Sequence, residues 1–252
     1  MTNIRFITNL WRNGLLLTPS SENSKHPFSD SQIDTKSMFW QASSKTSPVF
    51  LPQNLESAKE IDFVALLDHN IEASGVTITV EGADDDIFTG EDLESRTLSY
   101  NAEDIFAFVT PFTKQYARVN LAKTGDFTDY PQIATIVCGK YFEPNVNFRW
   151  DYAVGPAQDS SESDYSDSLN LFSQEKPNLD SWSLSFLGIN DASASEIIEF
   201  IQYHKTIRAF VVIFDSDSSN SDSHWVRFSQ TSRPRHEGID YWTWDIELVE
   251  VK

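Results

Sequence analysis

Five histidines are the first candidates for catalysis or metal binding in this sequence, and they are widely separated. No two of them fall at helical spacing and no His-Glu-x-x-His motif occurs, so a zinc centre is not predicted. No serine lies in a Gly-x-Ser-x-Gly motif, and the nine glycines form no phosphate-binding run. The sequence therefore predicts structural or surface histidines, with no catalytic, cofactor-binding or metal-binding residue. The histidines are His26, His69, His204, His224 and His236.

Two acidic clusters, Asp84-Asp85-Asp86 and the stretch from Asp215 to Asp222, carry oxygen ligands of the kind that calcium prefers. Neither cluster has EF-hand spacing, because Asp215 to Asn220 lacks both the glycine at the sixth loop position and the closing glutamate. Solvated turns are the favoured interpretation, with calcium as the alternative. Pairs of carboxylates do not indicate a glycoside hydrolase in this sequence, because 38 acidic residues provide such pairs by chance.

Seven tryptophans are many for this length and raise the question of a carbohydrate-stacking surface. Tryptophan is also a large core and interface residue, and Trp242 and Trp244 share one face of a predicted strand without a polar cluster beside them. Packing within or between subunits is therefore predicted for those two. The others are Trp11, Trp40, Trp150, Trp182 and Trp225.

The single cysteine, Cys138, lies in an apolar run and is expected to be a buried small hydrophobe rather than a nucleophile. One cysteine allows no intrachain disulfide, so a disulfide-stapled secreted module is excluded and a reducing cytoplasm is the expected site of synthesis.

The chain of 252 residues has 38 acidic against 19 basic side chains, a formal charge of −19. A nucleic-acid partner is not predicted, because phosphate binding requires a surplus of Lys and Arg, and an anionic membrane surface is disfavoured for the same reason. No run approaches the ~20 apolar residues of a membrane-spanning helix, so no membrane span is expected. The length suits one large domain or two small ones.

Short apolar or alternating segments separated by polar turns fill residues 38–142, after an irregular stretch over residues 1–37. This spacing is typical of a β-sandwich or barrel, and no ten-residue amphipathic helix is visible before residue 142. The predicted strands are 59–67, 76–82, 105–109, 116–121 and 133–138.

The second half begins near Phe142-Glu143-Pro144 and contains an acidic, serine-rich stretch over 155–181 that indicates a solvated loop or a long hairpin. A helix is predicted to start at Asp191 or Ser193, either of which suits the N-cap, and to end near His204-Lys205. The sequence therefore predicts a mainly β protein of two β-rich domains, 1–142 and 143–252, with one short helix near 193–205. Strands are predicted at 182–187, 209–214, 225–228 and 241–251.

The order of these segments resembles known families more than any one motif does. Residues 20–142 look like a discoidin-like (galactose-binding-like) β-sandwich, through the Ser-rich loop before Lys25-His26-Pro27-Phe28, the Phe39-Trp40-Gln41-Ala42 segment, the apolar strand ending in His69-Asn70, and the strand from Val76 to Asp84. Lys140 to Trp150 is similar to a linker in bacteriophage tail proteins, and residues 182–251 look like tail-tip proteins of the distal tail class.

That resemblance implies a non-enzymatic structural component of a phage tail tip or baseplate, located in the virion. It further implies a homo-oligomer, by resemblance a hexameric ring, with tail tube, hub, tape measure or fibre proteins as partners. The N-terminal position of the sandwich departs from the usual order in distal tail proteins. The first alternative is a carbohydrate-binding module that attaches to a host-surface glycan, and the second is a glycan-degrading enzyme.

Overall fold

The structure is a computed structural model that describes residues 3–149, 153–156, 162–165, 171–174, 179–215, 222–230, 232–239 and 241–251. The protein is mainly β with one α-helix, as predicted. Contacts divide the chain into two units. Unit 1 consists of Met1–Phe142 and Val211–Ser223, and unit 2 consists of Glu143–Phe210 and His224–Lys252. The predicted domain boundary at residue 142 stays a prediction.

The strands follow one another along the whole chain, with two 3₁₀ turns at Trp11–Asn13 and Phe28–Gln32. The first nine strands are β1 (Arg5–Ile7), β2 (Leu15–Leu16), β3 (Trp40–Gln41), β4 (Val49–His69), β5 (Val76–Ala83), β6 (Glu94–Leu98), β7 (Ile105–Lys123), β8 (Gln132–Gly139) and β9 (Tyr141–Phe142). The remaining elements are β10 (Ala153–Pro156), β11 (Glu162–Tyr165), β12 (Leu171–Gln174), β13 (Asp180–Ile189), α1 (Asp191–His204), β14 (Phe210–Ile213), β15 (Ser223–Phe228), β16 (Arg235–Gly238) and β17 (Tyr241–Glu250).

Unit 1 is built on an antiparallel sheet with the strand order β3-β8-β4-β7-β5-β6, and β2 also pairs with β4. The predicted strands 105–109 and 116–121 prove to be one strand, β7, which was not expected. The polar residues between them stay extended because they pair with β4, with Lys59 opposite Lys114 and Glu60 opposite Thr113. Cross-strand hydrogen bonding therefore overrides the local turn-like composition.

Irregular registers in β4 between Asn54 and Lys59, and again between Ile61 and Phe63, let the long strand bend. The first half of β4 pairs with the second half of β7, and the second half of β4 lies between the first half of β7 and β8. Side chains from both halves, such as Leu51 and Leu66, enter one apolar core. Cys138 lies in this core without solvent exposure, as predicted, and burial raises the pKa of its thiol.

The N-terminal stretch is less irregular than predicted. Strand β1 pairs antiparallel with β14 on one side and with β9 on the other, all within unit 1. The Phe6 and Phe142 rings stack at 5.1 Å. A strand of three residues has no periodic signal of its own, so its pairing with β14 about two hundred positions later could not be inferred locally.

Unit 2 is centred on the antiparallel pair β13 and β17, with β10 beyond β13 and with β15 and β16 on the far side of β17. The predicted alternation is confirmed, because Trp182, Leu184 and Phe186 are buried on one face. Trp244, Ile246 and Leu248 are buried from β17. The core placement predicted for Trp244 is therefore confirmed, whereas Trp242 is only half-buried.

Helix α1 begins at Asp191, and its N-cap is Asn190, one residue before Asp191 and three before Ser193. The side chain of Asn190 caps it by accepting a hydrogen bond of 2.9 Å from the backbone N–H of Ser193. Asp191 accepts a 2.7 Å bond from the indole N–H of Trp242, and the Ser193 hydroxyl accepts the N–H of Asn145 at 3.1 Å. Both predicted caps are thus engaged elsewhere.

The two acidic clusters have different outcomes. Asp84 pairs with Lys114 at 2.8 Å, and Asp85 accepts the backbone N–H of Ile87, which fits a solvated surface turn. Residues 216–221 of the other cluster lie outside the described residues, as does most of the acidic stretch 155–181, where β11 pairs antiparallel with β12. Among the described residues, no helix has the length and apolar character needed to cross a bilayer.

Candidate functional site

One end of the unit 1 sheet carries an open groove of about 540 Å³, hereafter the loop groove. It lies where β3 ends and β8 begins. Its lining consists almost wholly of amide, hydroxyl and carboxylate side chains, together with one exposed aromatic ring. The residues that matter below are Glu22, Asn23, Ser24, Gln41, Ser43 and Tyr130.

The floor of the loop groove is the short ladder between β3 and β8, in which Trp40 faces Ile133 and Gln41 faces Gln132. The Trp40 side chain is fully buried, and its indole N–H donates to the backbone carbonyl of Ser21 at 3.2 Å. Burying a side chain of this size anchors the loop before β3 to the core.

Asn23 fixes the near wall of the loop groove. Its backbone N–H and its side-chain amide donate to the backbone and side-chain carbonyls of Gln41, both at 2.8 Å. Its side-chain oxygen accepts the N–H of Lys25 at 3.0 Å, which is an Asx turn. Since both the amide nitrogen and the oxygen of this side chain make internal hydrogen bonds, Asn23 holds the wall of the groove.

The far wall carries Tyr130, whose side chain is 45% exposed. Its backbone carbonyl accepts a 2.9 Å bond from the Asn70 amide, and the Asn70 oxygen accepts the N–H of Gln132 at 2.7 Å. The ammonium of Lys45 lies over one face of the ring, 5.1 Å from its centroid. At most the other face of the ring is therefore open to a ligand.

Glu72 holds the loop that precedes Tyr130. Its carboxylate pairs with Lys123 at 2.5 Å and accepts bonds from both the hydroxyl, at 3.0 Å, and the backbone N–H of Thr128. The hydrogen bond from Lys123, then that from the Thr128 N–H, lower the pKa of Glu72 to about 2. The carboxylate therefore stays ionised over the whole physiological range and ties the loop to β7.

Several polar groups in the loop groove have no hydrogen-bond partner among the described residues. They are the second carboxylate oxygen of Glu22, the side-chain amide N–H groups of Gln41, and the hydroxyls of Ser24 and Tyr130. Together they offer an acceptor, a donor, two groups that can do either, and a ring. This combination suits hydroxyl-rich ligands that also have apolar C–H faces.

The histidines do not converge, and among the described residues no group of three His, Cys, Asp or Glu side chains is placed to hold a metal ion. His26 stacks on Phe39 at 4.2 Å. His69 accepts the N–H of Ile71 at 3.2 Å, and its burial lowers its pKa. His204 is fully buried next to Phe200, at a ring distance of 4.2 Å.

No tryptophan that the structure describes lines the loop groove. Its exposed aromatic residue is Tyr130, which was not singled out from the sequence. Trp11, Trp40, Trp182, Trp225 and Trp244 are all buried, and Trp150 lies outside the described residues. The available clue was a large aromatic residue within the polar loop 124–131, directly before a proline. Such a residue has no neighbouring apolar pattern to bury it.

No protein-family model matches the chain. No curated protein sequence matches it either. Among solved structures, the chain is similar to chitosan-binding module 1 of a chitosanase/glucanase from Paenibacillus sp. IK-5, at 21% identity over 53% of this chain and 99% of that module, with a TM-score of 0.41. It is also similar to the family 32 carbohydrate-binding module of NanJ from C. perfringens in complex with galactose, at 16% identity over 55% of this chain and 99% of that module, with a TM-score of 0.42. Similarities with identities and TM-scores this low do not identify a ligand. The case for a ligand therefore rests on the residues of the loop groove.

Proposed function

We propose that the protein is a carbohydrate-binding protein, and that the loop groove of unit 1 binds one or a few sugar units. The observation that carries this proposal is the set of unpartnered donors and acceptors beside the exposed ring of Tyr130. Sugar hydroxyls satisfy such groups, and the C–H face of a pyranose packs on an aromatic ring.

The lining of the loop groove supports binding rather than hydrolysis. Glycosidic cleavage usually requires two carboxylates on opposite sides of the bond, about 5–10 Å apart. Glu22 is the one carboxylate among the described residues that line this groove. Its first oxygen accepts the backbone N–H of Phe28, which suits a positioning contact more than a proton transfer.

A glycan array probed with the full-length chain tests this proposal. We expect binding to at least one neutral saccharide, and we expect Tyr130→Ala to weaken that binding about tenfold, since the substitution removes the ring. Tyr241→Ala in unit 2 is the matched control, because its side chain is 44% exposed against 45% for Tyr130. Equal loss in both variants, or no binding to any saccharide, would contradict the proposal.

The tail-tip assignment remains a proposal from the sequence resemblance. Glycan binding is compatible with it, because attachment to a host-surface glycan is a task of the tail tip. Mass photometry of the purified chain tests the ring: a hexamer supports it, and a monomer at micromolar concentration counts against it. Location in the virion is tested by mass spectrometry of purified particles.

A further inference from the structure

The outward face of the unit 2 sheet differs from its inward face in a regular way. Along β13 the buried Trp182 and Leu184 alternate with Ser183 and Ser185, whose side chains point away from the core. Along β17, Asp245 and Glu247 lie directly opposite these serines, and both are exposed. The outward face is therefore polar along both central strands.

Two adjoining grooves cross this face. The first, of about 700 Å³, reaches Arg227, and the second, of about 470 Å³, reaches Arg149 and Arg235. Ser183 and Glu247 line both, so the two grooves adjoin, and together they are called the sheet groove hereafter.

Three arginines in one groove stand out in a chain with half as many basic as acidic residues. The guanidinium of Arg227 makes no hydrogen bond or ion pair with any residue that the structure describes. The guanidinium of Arg235 is 3.6 Å from the carboxylate of Asp245, and both side chains are more than half exposed. An exposed pair at this distance stabilises the fold little, so both arginines remain available to an anion.

The sheet groove also retains hydrogen-bond acceptors. One oxygen of Asp245 accepts the Ser185 hydroxyl at 2.6 Å, and one oxygen of Glu247 accepts the Ser229 hydroxyl at 3.1 Å. The other oxygen of Glu247 has no hydrogen bond to a described residue. A ligand for this groove must therefore donate hydrogen bonds as well as carry a negative charge.

We propose that the sheet groove is a second carbohydrate site, and that it selects saccharides carrying a carboxylate. The acid of such a sugar suits the forked guanidinium of Arg227 or Arg235, and its hydroxyls donate to Glu247 and exchange bonds with the serines. An acidic peptide fits less well, because its side chains supply carboxylates without donors and would meet Asp245 and Glu247 with like charge.

An array of uronic and sialic acid saccharides, each printed as the free acid and as its methyl ester, tests this proposal on the full chain. We expect the free acid to bind about tenfold more tightly than its ester, because esterification removes the charge that the arginines contact. Arg227→Gln together with Arg235→Gln should remove this difference. Tyr130→Ala should leave it unchanged, so failure of the loop groove proposal would not affect this result.

Equal binding of acids and esters by the unmodified chain would overturn the inference. So would preferential binding of a poly-glutamate peptide, which would indicate a protein-docking surface. Loss of acid selectivity after Tyr130→Ala would also overturn it, since acid and neutral binding would then share one site. Arg208→Gln is the matched control for surface charge, because Arg208 bonds the Tyr203 carbonyl at 2.9 Å and does not line the groove.

Discussion

The loop groove and the sheet groove present similar polar groups but opposite charge. Among described residues, the loop groove is lined by one carboxylate, one exposed aromatic ring and no basic side chain, whereas the sheet groove is lined by three arginines and two carboxylates, Asp245 and Glu247. Neutral hydroxyls and amides occur in both. Under the two proposals above, charge at a few positions would separate a site for neutral sugars from a site for acidic ones.

The grooves also differ in how the fold positions their side chains. In the loop groove, the side chains of Asn23, Asn70 and Glu72 hold the walls by accepting backbone N–H bonds, from Lys25 in the same loop, from Gln132 at the start of β8 and from Thr128, respectively. In the sheet groove, Ser183 and Glu247 are placed by the regular pairing of β13 with β17. The first site therefore depends on a few specific bonds, and the second depends on the integrity of a sheet.

The largest effects are expected from substituting the buried tryptophan behind each groove, and each substitution should affect one groove and spare the other. Trp40→Ala should destabilise unit 1 by about 3–5 kcal/mol and abolish neutral-sugar binding, since the cavity releases the Ser21 loop. Trp244→Ala should likewise destabilise unit 2 and abolish acidic-sugar binding in the sheet groove, because the Trp244 indole N–H donates to the Ser232 carbonyl at 3.0 Å. Denaturant unfolding and the glycan array measure both.

Each of these variants is the control for the other. If Trp40→Ala removed acidic-sugar binding as fully as neutral-sugar binding, the two grooves would not be separate sites. Trp40→Phe should retain more of the stability and part of the binding, because a smaller aromatic ring still fills much of the space but cannot donate to the Ser21 carbonyl.

A second prediction concerns pH and unit 1 alone. Asp62 is buried, with 5% exposure, and this burial raises the pKa of its carboxyl to about 6, although the Tyr141 N–H and Lys140 oppose the rise. A pKa raised on folding means that the folded state favours the protonated carboxyl. The contribution of Asp62 to stability is therefore fully present below pH 3.8 and is lost as the pH rises through about 6. Asp62 should therefore make unit 1 more stable on acidification from pH 7 to about pH 5, above the range in which the lowered pKa of Glu72 acts in the opposite direction.

Asp62→Asn should remove this pH dependence and raise the stability of unit 1 at pH 7 by up to about 3 kcal/mol, at about 1.4 kcal/mol per pH unit. The amide oxygen of asparagine can still accept the Tyr141 N–H, so the hydrogen bond of 2.9 Å is preserved. Asp86→Asn, on an exposed turn, should change neither quantity. Unfolding curves at pH 4, 5, 6 and 7 measure the effect, and an unchanged pH profile in Asp62→Asn would refute the assignment.

The two grooves differ again in how far the sequence predicts them. Period-two alternation in 182–187 and 241–251 predicted which side chains leave the core of unit 2, and hence the outward face of the sheet groove. The loop groove had no such pattern, because Tyr130 is held by Asn70, 60 positions earlier in the chain. Contacts of that kind depend on which loops the topology brings together, and one sequence contains no record of them.

The N-cap of α1 shows the same limit on a smaller scale. Asp191 and Ser193 are both suitable N-caps by residue type, yet Trp242 and Asn145 engage them, and Asn190 takes the cap. Local rules identified the helix to within two residues, and tertiary contacts decided which of three neighbouring polar side chains capped its N-terminus.

The smallest expected effect tests whether the loop groove depends on preformed loops. Glu72→Gln leaves the side-chain shape but weakens the bonds to Lys123 and to Thr128, so the loop that carries Tyr130 should become less ordered. We expect neutral-sugar binding to weaken about threefold and acidic-sugar binding to remain unchanged, because ordering a loop on binding costs affinity. Calorimetric titration of both sugars measures this ratio.

Glu103→Gln, on an exposed loop of unit 1, is the control for the lost charge. If Glu72→Gln and Glu103→Gln weakened binding equally, net charge rather than loop order would explain the loss, and the distinction between a loop-built and a sheet-built groove would not hold.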